Sequence, residues 1–213
     1  MRLFIAQKPL RRILRWTQRA LFAAGALLLA WCVFVLVDAR IFQQAERRRL
    51  EGLVTVRPGA NREAREGAPA IPPAVPPPAV SRGLIGRIDI PRLGLSAIVI
   101  EGAGATTLRR AVGHIPGTAL PGQPGNMCIS GHRDTFFRPL RNIRQDDIIT
   151  VTTVSGEFRY RVLSTRIVRP SNVTVLAAGG SETLTLITCY PFYFVGPAPS
   201  RYIVRAERVG TTS

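Results

Sequence analysis

From Gly83 to the C-terminus, the chain is divided into short runs of β-branched and aromatic residues that are separated by glycine and proline. Runs of this length and composition are typical of β-strands. They are Ile85 to Ile90, Ser96 to Ile100, Asn126 to Ser130, Ile148 to Val154, Phe158 to Leu163, Leu184 to Cys189 and Tyr202 to Arg205. Seven or so strands predict a β-barrel or a sandwich. Short helices are expected around Thr107 to Val112 and Phe136 to Ile143.

One hairpin follows directly from alternation. Phe158, Tyr160 and Val162 line one face of a strand, while the arginines between them point to solvent. The turn Ser155-Gly156-Glu157 pairs this strand with Ile148 to Val154.

A second feature is the uncharged run from Ala20 to Val37, which is long enough to cross a bilayer as a helix. A signal peptide is the rival interpretation, but its apolar core is shorter and ends at small residues, so we favour an uncleaved anchor. The residues before the run are basic without an acidic residue, which predicts a cytoplasmic N-terminus and an extracytoplasmic remainder. These basic residues are Arg2, Lys8, Arg11, Arg12, Arg15 and Arg19.

The predicted organisation is therefore a basic cytoplasmic segment (1–19), a membrane anchor (20–37), a charged and then proline-rich stalk (38–80) and a β-barrel domain (81–213). Residues Ile41 to Arg65 could continue as a short helix. The run from Pro69 to Pro78 favours extended polyproline geometry and is expected to act as a semi-rigid spacer.

The formal net charge of +16 raises the question of nucleic-acid binding. No nucleic-acid recognition motif or basic aromatic stripe is present, and the membrane anchor argues against such a partner. Attraction to anionic lipid heads or acidic cell-wall polymers explains the charge more simply, as does an arginine-rich composition with solvated side chains.

Candidate chemistry lies at the ends of three strands. Cys189 precedes Pro191 at a strand end, where an exposed thiol could act as a nucleophile. His132 follows another apolar run and is the candidate acid and base. Arg201 opens the last strand and could hold a carbonyl oxygen that becomes negative, with Thr188 near the same oxyanion site. His114 lies in a turn-rich segment, which favours a structural or substrate-lining role.

The cysteines leave one alternative open. Cys32 lies in the predicted membrane span, so only Cys128 and Cys189 could form a disulfide in an oxidising compartment. We favour free thiols, because Cys128 lies in the apolar run from Met127 to Ile129, where a small buried thiol fits.

Four strings carry a family resemblance. They are Pro121-Gly-Gln-Pro-Gly-Asn126, Ser130-Gly-His132-Arg133-Asp134, Leu184-Thr-Leu-Ile-Thr-Cys189-Tyr-Pro191 and Ser200-Arg201-Tyr-Ile-Val204. In order and spacing they resemble the sortase family, and with the membrane anchor they look most like class D sortases.

The resemblance implies an eight-stranded β-barrel and a membrane-anchored cysteine transpeptidase. Such an enzyme recognises a Leu-Pro-X-Thr-Gly-like sorting signal on secreted proteins. Cys189 would attack the carbonyl after the threonine, His132 would protonate the leaving amine, and Arg201 would hold the carbonyl oxygen. An amine on a cell-surface acceptor would then release the acyl-enzyme.

Two departures from the family pattern affect the expectations. Calcium-dependent sortases are expected to carry several acidic residues before the nucleophile strand, whereas Val168 to Thr183 offers only Glu182, so we expect neither a metal nor another cofactor. Asp146-Asp147 stands where many relatives have a glycine-aspartate turn, so the turn type there stays open.

Two other enzyme classes and one non-enzymatic function compete with this interpretation. Papain-like peptidases place the cysteine before the histidine, and L,D-transpeptidases carry a glycine before the nucleophile, so both are disfavoured. The non-enzymatic alternative is a membrane-tethered β-barrel that binds acidic envelope polymers through its arginines.

Overall fold

A closed barrel of eight strands forms the main body of this computed structural model, which describes residues 7–55, 83–194 and 196–210. The strands are β1 (Leu84–Ile90), β2 (Leu95–Glu101), β3 (Val112–His114), β4 (Asn126–Ser130), β5 (Ile148–Thr153), β6 (Gly156–Val168), β7 (Thr183–Tyr190) and β8 (Ser200–Arg208). They close in the order β1-β2-β3-β4-β7-β8-β6-β5. The eight-stranded barrel implied by the family resemblance is confirmed.

Parallel pairing occurs at two places in this barrel, between β2 and β3 and between β4 and β7, while the other neighbours are antiparallel. The β4–β7 pair matters most, because it joins strands that lie more than fifty residues apart in the chain. Side chains of one alternating set fill the interior, as Leu184 and Leu186 of β7 do beside Val204 and Ala206 of β8.

The predicted hairpin is present, since β5 pairs with β6 from Ile148 opposite Arg161 to Thr153 opposite Gly156. Tyr160 and Val162 are buried and the two arginines between and before them are exposed, as the alternation predicts. The turn lies earlier than expected, at residues 154–155, because Gly156 already belongs to β6. β6 also runs five residues past the predicted end at Leu163.

The helix predicted over Thr107 to Val112 is placed wrongly at both ends. The helix α2 covers Ala105–Arg110, and Val112 already pairs with Val99 in the short strand β3. The backbone at Gly102 comes close to Gly113 of this strand, and only a glycine fits there, because a Cβ on residue 113 would lie 2.3 Å from the Gly102 carbonyl oxygen. The helix expected over Phe136 to Ile143 is a 3₁₀ helix, Arg138–Asn142. Further 3₁₀ helices cover Pro91–Leu93 and Val173–Leu176.

At the turn before β5, Asp146 has a φ of 66°, which is left-handed backbone that glycine adopts at lower cost. Asp147 follows it and accepts hydrogen bonds from the Arg92 side chain and from the Arg144 amide, the latter at 2.7 Å. The side chain of Arg92 lowers the pKa of Asp147 through this hydrogen bond.

The N-terminal helix α1 covers Gln7–Thr55. The stretch Arg12–Val54 is long and apolar enough to be a candidate membrane span, judged by length and composition. The chain divides into two compact units between Ile41 and Phe42. The predicted extension of the helix from Ile41 to Arg65 is seen as far as Thr55, and the proline-rich run Pro69 to Pro78 lies outside the described residues.

Within the second unit, the last turns of α1 pack on β2. The Gln43 side chain accepts a hydrogen bond from the Ile98 amide at 2.9 Å and donates one to the Arg110 carbonyl at 2.6 Å. Leu50 is 2% exposed and contacts Leu84 and Ile98 in a small apolar cluster separate from the main core. Residues 42–55 are thus part of the folded barrel unit.

Candidate active site

Cys189 and Arg201 are direct cross-strand partners. In the antiparallel β7–β8 pair, Cys189 lies opposite Arg201, so both side chains project from the same face of the barrel wall. Both residues are half-buried. One guanidinium nitrogen of Arg201 donates to the carbonyls of Ser200 at 3.1 Å and Ala198 at 3.4 Å, which holds the side chain at the start of β8.

His132 reaches the same level of the barrel from the other side of β7. In the parallel β4–β7 pair, Ser130 lies opposite Ile187, and the Gly131 amide donates to the Ile187 carbonyl at 3.1 Å. His132 follows Ser130 by two residues, as Cys189 follows Ile187. The register therefore brings the ends of β4 and β7 and the start of β8 together, with His132 just after β4 and Arg201 on β8, the two strands that flank β7.

The face that carries Cys189 is the outer face of the wall. Leu184 and Leu186 belong to the interior. Because successive side chains of a strand alternate, Thr185, Ile187 and Cys189 point outward. The 3₁₀ helix Val173–Leu176 is bonded to this wall, because the Asn126 amide donates to the Val175 carbonyl at 2.9 Å.

Asn126 connects three segments of this wall and was not singled out by sequence reasoning. Its side chain is 1% exposed. The amide nitrogen donates to Val175 at 2.9 Å and Ala177 at 3.4 Å, and the oxygen accepts from Thr185 at 2.7 Å and Thr183 at 3.3 Å. All of these side-chain partners lie at least 49 residues away in the chain, so no local pattern could reveal them.

The side chains of the two other candidates are buried and have partners of their own. Thr188 is 2% exposed, and by strand alternation it faces away from Cys189. Its hydroxyl donates to the Gly131 carbonyl at 2.8 Å. Thr188 therefore fastens the residue before His132 to β7.

His114 is 2% exposed, and both ring nitrogens have partners. Nδ1 lies 2.8 Å from a Glu101 carboxylate oxygen, while Nε2 lies 3.0 Å from the Ala119 carbonyl and 2.9 Å from the Thr118 hydroxyl. The imidazole thus joins β2, β3 and the segment that follows β3.

The three cysteines are all free, so the alternative of a disulfide between Cys128 and Cys189 is not realised. Cys128 is fully buried, and this burial raises its pKa to about 11. Cys189 is half-exposed. Because the thiolate is the nucleophilic form and must be reachable, Cys189 suits nucleophilic chemistry and Cys128 does not.

Glu182, the acidic residue noted before the nucleophile strand, is engaged within the barrel. Its carboxylate accepts from the Tyr160 hydroxyl at 2.6 Å and the Gly122 amide at 3.1 Å, and it lies 3.5 Å from the Arg208 guanidinium. Burial, followed by the Glu182 hydrogen bond, raises the pKa of Tyr160. Among the described residues, no group of three or more acidic, histidine or cysteine side chains is arranged to hold a metal ion.

Comparison with known families agrees with this barrel and its strand-end motifs. The family described as "Sortase domain" matches residues 88–209, which is more than half of the chain. The chain belongs to the sortase family. The prediction made from the four motifs is confirmed at this level.

This sortase resembles Sortase D of Bacillus subtilis, with 36% identity over 125 residues that cover 58% of this chain and 63% of the relative. The match therefore spans less than two thirds of that protein. A solved structure of a Clostridium perfringens Sortase D5 transpeptidase is 32% identical, with a TM-score of 0.55, and the match covers 60% of this chain and 79% of that one. Sortase C-1 from Actinomyces oris is 30% identical with a TM-score of 0.56, covering 61% and 75% respectively. The similarity to class D relatives is thus accompanied by similarity to class C.

Proposed function

We propose that this protein is a membrane-anchored cysteine transpeptidase that acts on secreted proteins carrying a Leu-Pro-X-Thr-Gly-like sorting signal. The observation that carries the proposal is the register of three strands, which flanks the half-exposed Cys189 with His132 on one side and Arg201 on the other. The similar Clostridium perfringens protein is described as a transpeptidase, which supports the same reaction class.

In the first half-reaction, the Cys189 thiolate attacks the carbonyl carbon of the threonine in the signal. A carbon–sulfur bond forms and the carbonyl oxygen becomes an oxyanion, which the Arg201 guanidinium stabilises by hydrogen bonds. Collapse of this intermediate breaks the peptide bond. The His132 imidazolium gives its proton to the leaving amine, and a thioester remains on Cys189.

In the second half-reaction, an amine of a cell-surface acceptor attacks the thioester. His132, now neutral, takes a proton from that amine, the carbon–sulfur bond breaks and the thiolate is regenerated. The product is a new peptide bond between the secreted protein and the acceptor. If water replaces the amine, the same steps give a hydrolysed chain with a free carboxylate.

Thr188 and His114 take structural roles in this proposal. Thr188 holds the end of β4 through its hydroxyl, and His114 ties β2 and β3 to the following segment, which leaves the substrate contacts to the outer face. The length and apolar composition of the helix support anchoring. The proposed orientation, with a cytoplasmic N-terminus and an extracytoplasmic barrel, rests on the basic residues that precede the apolar run.

The test uses the full chain in lipid nanodiscs and a fluorogenic Leu-Pro-X-Thr-Gly peptide, with and without an amine acceptor. We expect Cys189→Ala to abolish cleavage, and Arg201→Gln to lower kcat/KM by about 10² to 10³, as for the loss of an oxyanion donor. Cys128→Ala is the matched control and should retain activity. Mass spectrometry should detect an acyl group on Cys189 that hydroxylamine removes.

Cleavage that persists in Cys189→Ala would contradict the thiol mechanism. A parent protein that neither cleaves nor becomes acylated would instead favour the membrane-tethered binding module. Binding of acidic envelope polymers to the nanodisc sample would test that alternative directly.

A further inference from the structure

An arginine from another part of the chain binds three backbone carbonyls of the connection between β7 and β8. Arg133 donates to the carbonyls of Pro191 at 2.9 Å, Phe194 at 2.8 Å and Gly196 at 2.9 Å. Its guanidinium carbon also lies 5.8 Å from the centre of the Phe194 ring. Arg133 is thus in contact with both the beginning and the middle of this connection.

The chemistry of these contacts explains why an arginine is suited to the position. Carbonyls of an irregular segment have no strand partner and need donors from elsewhere. A guanidinium offers five donors in a rigid planar fork and stays charged at all relevant pH values, so it can satisfy several carbonyls at once. A lysine would present its donors from one point and could not span the three carbonyls in the same way.

The position of Arg133 in the chain gives these bonds a consequence for the reaction. It directly follows His132, and the connection that it holds begins two residues after Cys189 and ends two residues before Arg201. The ladder of β4 and β7 ends at Ser130 opposite Ile187, and that of β7 and β8 ends at Tyr190 opposite Ser200. Cys189 and Arg201 are a pair within the β7–β8 ladder, whereas His132 lies two residues beyond the last β4–β7 pair, so strand hydrogen bonds do not fix His132 relative to the other two.

A second arginine of the same segment strengthens the attachment. Arg141 donates to the Tyr193 hydroxyl at 2.6 Å, and its guanidinium carbon lies 5.5 Å from the Tyr193 ring centre. On the inner side, Phe192 packs against Tyr202 with ring centres 5.3 Å apart. The β7–β8 connection is therefore held to the segment after β4 and to β8, and Arg133 is the contact adjacent to His132.

We propose that Arg133 is a positioning residue for the transpeptidation reaction. By binding three carbonyls of the β7–β8 connection, it fixes the backbone that carries His132 against the backbone that carries Cys189 and Arg201. This inference rests on the proposed function, because the reacting groups are those named there. Within the described residues, the side-chain hydrogen bonds of Arg133 are with the β7–β8 connection, so the proposed role is to position the backbone and not to act on the substrate.

Three variants of the full chain in nanodiscs test the proposal. Arg133→Gln removes the fork and the charge, and Arg133→Lys keeps the charge but not the fork. Arg138→Gln is the matched control, because Arg138 is exposed, lies in the same segment, and makes no side-chain hydrogen bond or ion pair within the described residues. The two measurements are peptide cleavage and the pH dependence of Cys189 alkylation by iodoacetamide without substrate.

We expect Arg133→Gln to lower kcat about 10- to 100-fold with KM changed less than about threefold, since misplacement of reacting groups affects the chemical step. The pH profile of Cys189 alkylation should differ from that of the parent, because the proposed partner imidazole is displaced from the thiol, and Arg133→Lys should recover only a minor part of either effect. Arg138→Gln should behave as the parent.

Several outcomes would overturn the proposal. Full activity of Arg133→Lys would mean that charge alone matters. Activity of Arg133→Gln equal to that of Arg138→Gln, even with a lower Tm, would mean that Arg133 only stabilises the fold. The alkylation measurement needs no substrate, so an unchanged profile rejects the positioning role, whereas a parent that cleaves no peptide rejects the proposed function.

Discussion

Replacing Asn126 by alanine should destabilise the barrel by about 3 kcal/mol. The substitution removes the two closest hydrogen bonds of the side chain, to the Val175 carbonyl and from the Thr185 hydroxyl, and leaves those buried groups without their partner. An orphaned buried polar group costs about 1–3 kcal/mol, so two of them give about 3 kcal/mol even if the longer contacts contribute nothing. For a chain of this size, that corresponds to a Tm lower by roughly 6–12 °C.

The assay is urea denaturation of the full chain in detergent, followed by the near-UV circular dichroism of the barrel tyrosines. Both tryptophans, Trp16 and Trp31, lie in α1, so tryptophan fluorescence would not report on the barrel. The matched control is Asn172→Ala. Asn172 is exposed and accepts from the Thr174 amide at 3.1 Å, so its loss should cost less than about 1 kcal/mol.

A second readout follows from the same contact. The Asn126 amide bonds the 3₁₀ helix Val173–Leu176 to the wall that contains the buried Cys128, so Asn126→Ala should increase alkylation of Cys128 under native conditions. A loss of stability below about 1 kcal/mol, or one equal to that of Asn172→Ala, would refute the reasoning that this hydrogen-bond network holds the wall together.

Three further predictions can be checked on the same protein. With a pKa of about 11, Cys128 is about 0.1% thiolate at pH 8, so iodoacetamide should leave it unmodified in a peptide map while the half-exposed Cys189 reacts; equal labelling of the two would contradict the burial of Cys128. Because Arg92 lowers the pKa of Asp147, the stabilisation from this pair is present at neutral pH and is lost as pH falls through the folded-state pKa, so the deficit of Asp147→Asn in urea denaturation should be smaller at pH 3 than at pH 7. Leu50→Ala should cost about 2 kcal/mol in the same assay, whereas Leu53→Ala, at a side chain that is 41% exposed, should cost much less.

Much of the barrel could be predicted because its strands carry local patterns. Alternation in Phe158 to Val162 predicted both the hairpin and its buried face. The short strand β3 could not be predicted in the same way, since Val112–His114 contains a glycine and pairs through long-range contacts. The continuation of β6 past Leu163 was also missed, because its residues there are mostly exposed on both faces and show no period of two.

The candidate site shows a similar division. The strand-end positions of Cys189, His132 and Arg201 were visible as motifs, and their roles stay a proposal. The orientation of Thr188 was available in principle, because adjacent residues in a strand point to opposite faces. The role of Arg133 could not be predicted from the sequence, since its partners are backbone carbonyls 58 to 63 residues away, and carbonyls leave no signature in a sequence.

The packing of Gln43 and Leu50 on β2 determines where a soluble fragment that contains the barrel should begin. A fragment that starts at β1 would leave the Ile98 amide without the Gln43 oxygen and would expose the apolar surface of Leu84 and Ile98 to water. A fragment that starts at Phe42 keeps that surface covered. The natural starting point for such a fragment therefore lies inside the long helix, ahead of the proline-rich run.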